Sequence, residues 1–472
     1  MREPLWGWTS EAGTHTHHIL LWWKRLREDH QTRAGETRGQ MSKNEERNRA
    51  VAAARDYDPS KVEFLEHEFE TYDLLREHLP IARSEVSQGV GVQGGNVGWV
   101  LTRYDDSCEV LRTPEDFSSQ SMDYPVRAWI PQAIDPPMHT GYRRMLNPLF
   151  TADAMTKLEP HLLEYAEKLV DEMLEEDAFD FVAKFADPFP SAIFCELAGF
   201  PAEDYSQIMD WKNTIMHAND GHPRGRELAC ARAKTMGLEL GDGDALLPET
   251  ATAVAGTTAQ EVYAYFGELL EQRRANPRDD LISKLLDTKY QGERPLSQEE
   301  LEDTLFLLFM AGLDTVASAL GLIVQGFATS PDKRREFVAL MEDPQKLGPA
   351  VEELVRVHAI VPLPRRVTRE HSFHGALFRQ EDMVTVPTMA ANRDAEEFPN
   401  PHEIQYDRSP NRHLGYGLGP HRCLGIHLAR RELRIALQVL HRKLPDYHLD
   451  PDQKAVAFGG MKGLASLPLV KG

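Results

Sequence analysis

Apolar residues three and four apart recur over residues 153–175 and 260–276, and that period predicts two amphipathic helices. Ser297-Gln298-Glu299-Glu300 is a capping box, a serine at the cap and a glutamate three residues on, opening a long helix that runs to about Thr329. The middle of that helix, residues 305–313, is apolar on every face. A helix of that kind is either a membrane span or the buried centre of a large domain. Asp314, Thr315 and Gln325 would be costly in lipid, and no other span accompanies it, so a buried central helix is expected. Further helices are predicted over 347–358 and 424–440. Strands are predicted over 98–104 and 383–386. Residues 219–258 are rich in Gly, Ala and Thr and are interrupted by Pro248, which predicts irregular structure. The fold class expected is mainly α with small β-sheets.

Composition narrows this picture. A chain of 472 residues with no Gly/Ser- or Pro-rich linker and no internal repeat reads as one large domain, placed at 41–472. Residues 1–40 lack a sustained period, and Met41-Ser42-Lys43-Asn44 resembles a natural protein start. That segment is expected to be an N-terminal extension, disordered or a mis-assigned start. The formal charge of −21 argues against a nucleic-acid partner and fits a cytoplasmic protein. The four cysteines, Cys108, Cys195, Cys230 and Cys423, form no C-x-x-C pair, which argues against structural zinc and a disulfide framework.

One of those cysteines stands in a telling place. Gly417-Leu418-Gly419-Pro420-His421-Arg422-Cys423-Leu424-Gly425 sets Cys423 between a glycine-rich loop and a helical stretch. A helix N-terminus favours an anionic sulfur, so the placement suits a metal-bound thiolate. Gly417, Gly419 and Gly425 would let the backbone approach a flat ligand closely. Taken alone, Cys423 is equally a buried structural cysteine after a turn. Likewise Glu353 and Arg356, three apart on one helix face, form an everyday ion pair in isolation, and Thr315 is an ordinary helix threonine beside an acid.

Together these segments carry more. The cysteine loop resembles the haem-binding loop of the cytochrome P-450 family. Glu353-Leu354-Val355-Arg356 resembles that family's Glu-x-x-Arg, and Ala311-Gly312-Leu313-Asp314-Thr315 its oxygen-activation motif, all in the family's order. The resemblance spans roughly residue 57 to the C-terminus and is closest to the soluble bacterial type. It implies a haem-thiolate monooxygenase with haem b (iron protoporphyrin IX) held between the central helix and the cysteine-loop helix.

The resemblance also assigns residues. Cys423 is the implied iron ligand, whose thiolate favours O–O cleavage. Asp314 and Thr315 are the implied catalytic pair, Asp314 relaying protons from solvent and Thr315 holding oxygen and water. Ala311 and Gly312 are the small residues where the helix would pass over the porphyrin. His139 and Arg143 in Asp135-Pro136-Pro137-Met138-His139-Thr140-Gly141-Tyr142-Arg143, with Arg365 and His421, are the implied propionate contacts. Arg408 is the implied third member of a structural trio with Glu353 and Arg356. Ile404 and Tyr416 replace aromatic residues usual in the family. Residues 219–258 align with a mobile lid over the substrate entrance. Leu307, Met310, Val361, Met461 and Arg127 align with pocket-lining regions, together with the loop 118–134. Their apolar character suggests a compact, largely apolar substrate such as a terpenoid, an aromatic or a small macrocycle. Arg127 is either a surface residue or a selector for an oxygenated group.

No flavin or nicotinamide module is recognisable, so electrons are expected from a separate acidic ferredoxin. Arg143, Arg144, Arg412, Arg422, Arg430 and Arg431 would form its docking face, and the protein is expected to be a monomer without a membrane span. Two alternatives remain at this point: a peroxide-driven peroxygenase, and a non-catalytic haem-based sensor or ligand carrier. The Asp314-Thr315 pair argues against both.

Overall fold

The helix opened by the capping box runs through the centre of the molecule. Ser297 Oγ accepts the Glu300 N–H at 3.2 Å, and the Glu300 carboxylate accepts the Ser297 N–H at 2.7 Å. The structure, a computed structural model, describes residues 43–84, 98–121, 126–243 and 245–472. The 1–40 extension and part of the 118–134 loop lie outside the described residues.

The central helix is two helices end to end, Gln298–Gly312 and Thr315–Thr329. Its apolar surface has a different use in each half. Leu305, Phe306 and Phe309 of the first half pack with Val262, Phe266 and Leu269 from the helix Pro248–Ala275. Val316, Leu320, Ile323 and Phe327 of the second half pack with Leu433, Ala436 and Leu440 of the cysteine-loop helix, Ile426–Lys443. Leu347, Val351 and Leu354 of the helix Pro344–Val357 close the same core. Each such side chain taken out of water contributes about 1.5–3 kcal/mol, which is why the helix is apolar all round. It is long and apolar enough to cross a membrane by length and composition, yet 72% of that apolar window is buried inside the protein.

A five-stranded sheet flanks the helices, ordered Ile81–Ser84, Gly98–Leu101, Met383–Pro387, Pro362–Val367, Phe117–Ser118. Met383–Pro387 is buried throughout because it pairs on both sides, parallel to Gly98–Leu101 and antiparallel to Pro362–Val367.

Several elements differ from their expected form. The strand predicted over 98–104 ends at Leu101, because the Asp394 carboxylate accepts the Tyr104 N–H at 2.8 Å and Tyr104–Arg112 is a helix. The helix predicted over 153–175 is split into Ala152–Thr156 and Glu159–Met173, with Pro160 in the first turn of the second. Much of residues 219–258 is helical rather than irregular. They hold the helix Pro223–Met236, ended by Gly237 at φ 69°, and the start of Pro248–Ala275. Pro248 is a helix start, where a missing N–H costs nothing, rather than an interruption.

Candidate active site

The cysteine loop is built by backbone bonds that its glycines permit. Gly417 and Gly419 have φ of 67° and 72°, and a Cβ on Gly419 would overlap the Leu111 carbonyl. Gly417 N–H donates to Leu414 O at 2.8 Å, and Cys423 N–H donates to Tyr416 O at 2.9 Å. Gly425 is the residue before the helix, and a Cβ there would meet nothing within 4 Å. The Cys423 thiol is partly buried, and burial pushes its pKa up. The Gly425 N–H, Arg143, Arg422 and Arg430 oppose that without overcoming it. A metal ion on the sulfur would supply the positive charge that favours a thiolate here.

Two histidines near this loop have ring nitrogens without a hydrogen-bond partner, and a buried arginine stands with them. His139 is 2% exposed and neither ring nitrogen has a partner; its ring lies 4.0 Å from that of His421, whose Nε2 is also unpartnered. Burial, with Arg143 next, lowers His139 to about 4. Burial, with Arg365 next, lowers His421 to about 2. Arg365 is buried on its strand, its NH1 donating to the neighbouring Pro364 carbonyl at 2.7 Å, and burial pulls its pKa down to about 10. Unpartnered histidine nitrogens and a buried arginine that feels Asp135 but forms no ion pair among the described residues fit a ligand that brings carboxylates. Arg143 is placed differently. Its NH1 donates to Arg422 O at 2.8 Å and its Nε to Asn147 at 3.1 Å, so it braces the cysteine loop itself.

The trio at the loop's base is brought together. Glu353 and Arg356 are 0% exposed and joined by two bonds of 2.8 Å, and Arg408 Nε lies 3.1 Å from both Glu353 oxygens. Asn392, absent from the sequence reading, connects this cage to the loop. Its amide donates to Arg356 O at 3.2 Å and accepts the Leu414 N–H at 2.7 Å. Ile404 fills the adjoining core, while the Tyr416 hydroxyl is buried without a partner.

On the central helix, Ala311 is exposed within a mostly buried stretch, and Leu307 and Thr315, one turn either side, are partly open. These three mark an accessible face on the middle of the helix. Gly312 is partly open as well, although a Cβ on it would strike the Phe194 ring, whereas Met310 is 3% exposed within the core. Met461 is likewise in the core, and Val361 packs at its edge. Arg127 is not a free selector. It binds Asp303 at 2.7 Å and Glu302 at 2.6 Å and lies 4.2 Å over the Tyr263 ring, tying its loop to the central helix.

The helix opens at Leu313–Asp314, where the Ser191 hydroxyl donates to Leu313 O at 3.1 Å. Thr315 Oγ1 still donates back to Ala311 O, at 3.1 Å. Asp314 is 3% exposed. Its Oδ1 accepts from Lys212 Nζ at 3.0 Å, and His217 Nε2 lies 3.2 Å from Oδ2. Burial would raise its pKa, but Lys212 and His217 outweigh that and hold it far below the carboxylate range. Lys212, His217 and Asp220 escaped the sequence reading. Lys212 lies about a hundred residues away in the chain, with the titratable turn His217-Ala218-Asn219-Asp220 as its nearest local signal.

A break in the central helix beside an accessible face, a cysteine at the end of a glycine loop, and histidine nitrogens without partners fit a haem-thiolate type of site. The cytochrome P450 family profile matches residues 347–454. The polyketide biosynthesis cytochrome P450 PksS of Bacillus subtilis is 31% identical over 88% of this chain and 98% of its own, and its solved structure superposes with a TM-score of 0.72. The mycinamicin IV hydroxylase/epoxidase of Micromonospora griseorubida is 33% identical over 84% of this chain and 94% of its own. P450BioI, solved in complex with an acyl carrier protein bearing hexadec-9Z-enoic acid, is 26% identical over 87% of this chain and 99% of its own, with a TM-score of 0.70. The chain belongs to the cytochrome P450 family, in its bacterial type. It is accordingly a monooxygenase, and family membership implies a haem cofactor.

Proposed function

We propose that this enzyme hydroxylates or epoxidises an apolar small molecule of polyketide or fatty-acyl type, using O2 and electrons from a separate ferredoxin in the cytoplasm. The observation that carries this is the pair of histidines with unpartnered ring nitrogens, His139 and His421, together with the buried Arg365, beside the loop that presents Cys423. Cys423 would bind the iron of haem b, and the two histidines and Arg365 would take the propionates, with Arg143 bracing the loop. The bound haem supplies O2 activation. Around it, Thr315 positions oxygen and water on the open helix face, and Asp314 is the acid that feeds protons to that face.

The substrate class rests on two supports. Arg127 is spent on Asp303 and Glu302, so the aligned lining of Leu307 and Val361 keeps no free cation from that position. Relatives named for a polyketide, for mycinamicin IV and for methyl-branched lipids share most of the chain's length. That favours a longer substrate than a compact terpenoid.

The docking face is smaller than the six arginines expected. Arg412 pairs with Glu397, Arg430 with Glu352 and Arg431 with Glu159, while Arg143 braces the cysteine loop. Arg144 and Arg422 are exposed without an ion pair among the described residues, and exposed Arg112 follows Leu111, whose carbonyl abuts Gly419. These three offer an acidic ferredoxin its complementary charge.

The test is the difference spectrum of the reduced protein with CO, for the wild type and Cys423→Ser. A strongly red-shifted Soret band lost in the variant is expected. A band at the histidine-haem position in the wild type refutes the assignment.

A further inference from the structure

The break in the central helix falls where another helix presses on it. The helix Pro188–Ala198 touches both halves of the central helix and carries Ser191 and Phe194, three residues apart and so on one face. They meet consecutive residues across the contact. Ser191 is 0% exposed, and its hydroxyl donates to Leu313 O at 3.1 Å. The buried Phe194 ring lies beside Gly312, where a Cβ would overlap it. Buried hydroxyls on other helices behave differently: Thr214 and Thr258 return to the carbonyl four residues back, at 2.7 and 2.8 Å.

We infer that Ser191 and Phe194 form a wedge that holds the central helix broken, with Ser191 as a positioning residue for Thr315. This rests on the role proposed above for Thr315 and names what keeps its hydroxyl in place. Sharp breaks in a helix arise at proline, at a glycine or serine pair, or where a side chain inserts into the backbone ladder. Ala311-Gly312-Leu313-Asp314-Thr315 holds no proline and a single glycine, so the inserted hydroxyl is the cause that remains.

Leu313 O is the carbonyl that a continuous α-helix would offer to the Ala317 N–H. Here the Ser191 hydroxyl takes it, and the ladder resumes one residue later, where the Ser318 N–H donates to Asp314 O at 3.0 Å. Between the two, Asp314 leaves the helical conformation, at φ −124° and ψ −30°. A buried carbonyl needs a donor, and without Ser191 the nearest in sequence is the Ala317 N–H. Closing that bond would straighten the turn just before Thr315. The Thr315 hydroxyl reaches Ala311 O across that turn, and its place on the accessible face depends on the turn staying open. Phe194 adds a steric stop: straightening would bring the backbone at Gly312 against its ring.

The experiment uses the full-length holoenzyme as wild type, Ser191→Ala, Ser191→Thr, Gly312→Ala and Gly312→Ala with Phe194→Leu. Amide hydrogen exchange over residues 310–318, read by mass spectrometry, reports the ladder. The infrared C–O stretching band of the reduced CO complex reports the accessible face. We expect Ser191→Ala to slow exchange in that segment about two- to tenfold, the span one neutral hydrogen bond covers, and to shift the C–O band. Ser191→Thr keeps the hydroxyl and should restore both. Lost packing alone would speed exchange, so the sign separates the wedge from a merely structural serine. Gly312→Ala should shift the C–O band and Phe194→Leu should reverse part of that shift, a coupling that independent sites lack. Wild-type or faster exchange in Ser191→Ala with an unmoved C–O band overturns the wedge and leaves the reading of Thr315 standing. A Thr315→Ala variant with unchanged peroxide release overturns that reading, and with it the positioning role of Ser191. A wild type without the red-shifted CO band overturns both together with the haem-thiolate assignment.

Discussion

Replacing Glu353 by Gln tests whether the buried cage holds the cysteine loop in place. The Glu353 carboxylate accepts two bonds of 2.8 Å from Arg356, two of 3.1 Å from Arg408 Nε, one of 2.9 Å from the Gln405 N–H and one of 3.2 Å from the Asn411 amide. Glutamine keeps the shape and one carbonyl oxygen, but its NH2 turns donors toward donors. The buried Arg356 loses its counter-charge, with remaining acceptors that are backbone carbonyls of Asn392, Pro401 and Glu403. Breaking a buried pair in this way costs about 3–5 kcal/mol, or roughly two to three and a half powers of ten in the folding equilibrium. Denaturant unfolding, followed by circular dichroism and by the haem Soret band, measures it. Because Asn392 links Arg356 to Leu414, the Soret signal should be lost at lower denaturant than the helical signal. Glu172→Gln is the control, since it breaks an exposed i,i+4 pair with Lys168 worth about 0.3–0.5 kcal/mol. A Glu353→Gln loss no larger than the control's would refute the reasoning.

Thr315→Ala removes the hydroxyl from the open face of the central helix, and it should divert electrons from product to peroxide while leaving the CO band intact. Peroxide assay against NAD(P)H consumption checks it; unchanged partition would mean Thr315 positions nothing. Arg422→Glu combined with Arg144→Glu should weaken ferredoxin docking and flatten its salt dependence, read as a rise in the KM for ferredoxin with the CO spectrum unchanged. His217 has a folded-state pKa of about 9, above the usual histidine value of about 6.5, so its stabilisation is complete below pH 6.5 and is lost as pH rises through 9. Thermal stability of the wild type should therefore fall across that window more steeply than that of His217→Gln. Parallel curves would contradict the ion pairs assigned to it.

The sequence by itself determined the parts that rest on local chemistry. The capping box at Ser297 fixed the start of the central helix, and the all-round apolar pattern after it, interrupted by Asp314, Thr315 and Gln325, pointed to burial rather than a membrane span. The glycines of the cysteine loop were legible because Gly417 and Gly419 occupy backbone conformations that other residues rarely adopt. The spacing of Glu353 and Arg356 placed them on one helix face. Proline was legible but ambiguous: Pro248 and Pro160 mark helix starts, and nothing local tells a start from a break.

Tertiary structure decided what each charged or small residue faces. Asp314 reads as a relay open to solvent, yet folding seals it between Lys212 and His217. Arg127 reads as a pocket or surface residue, yet it clamps a loop to Glu302 and Asp303. Three arginines of an expected basic face are neutralised by Glu159, Glu352 and Glu397, and Gly312 makes room for Phe194. These partners lie far apart in the chain. A charge binds whatever opposite charge the packing brings within a few ångströms, so their pairing follows from the arrangement of the helices and not from any local pattern.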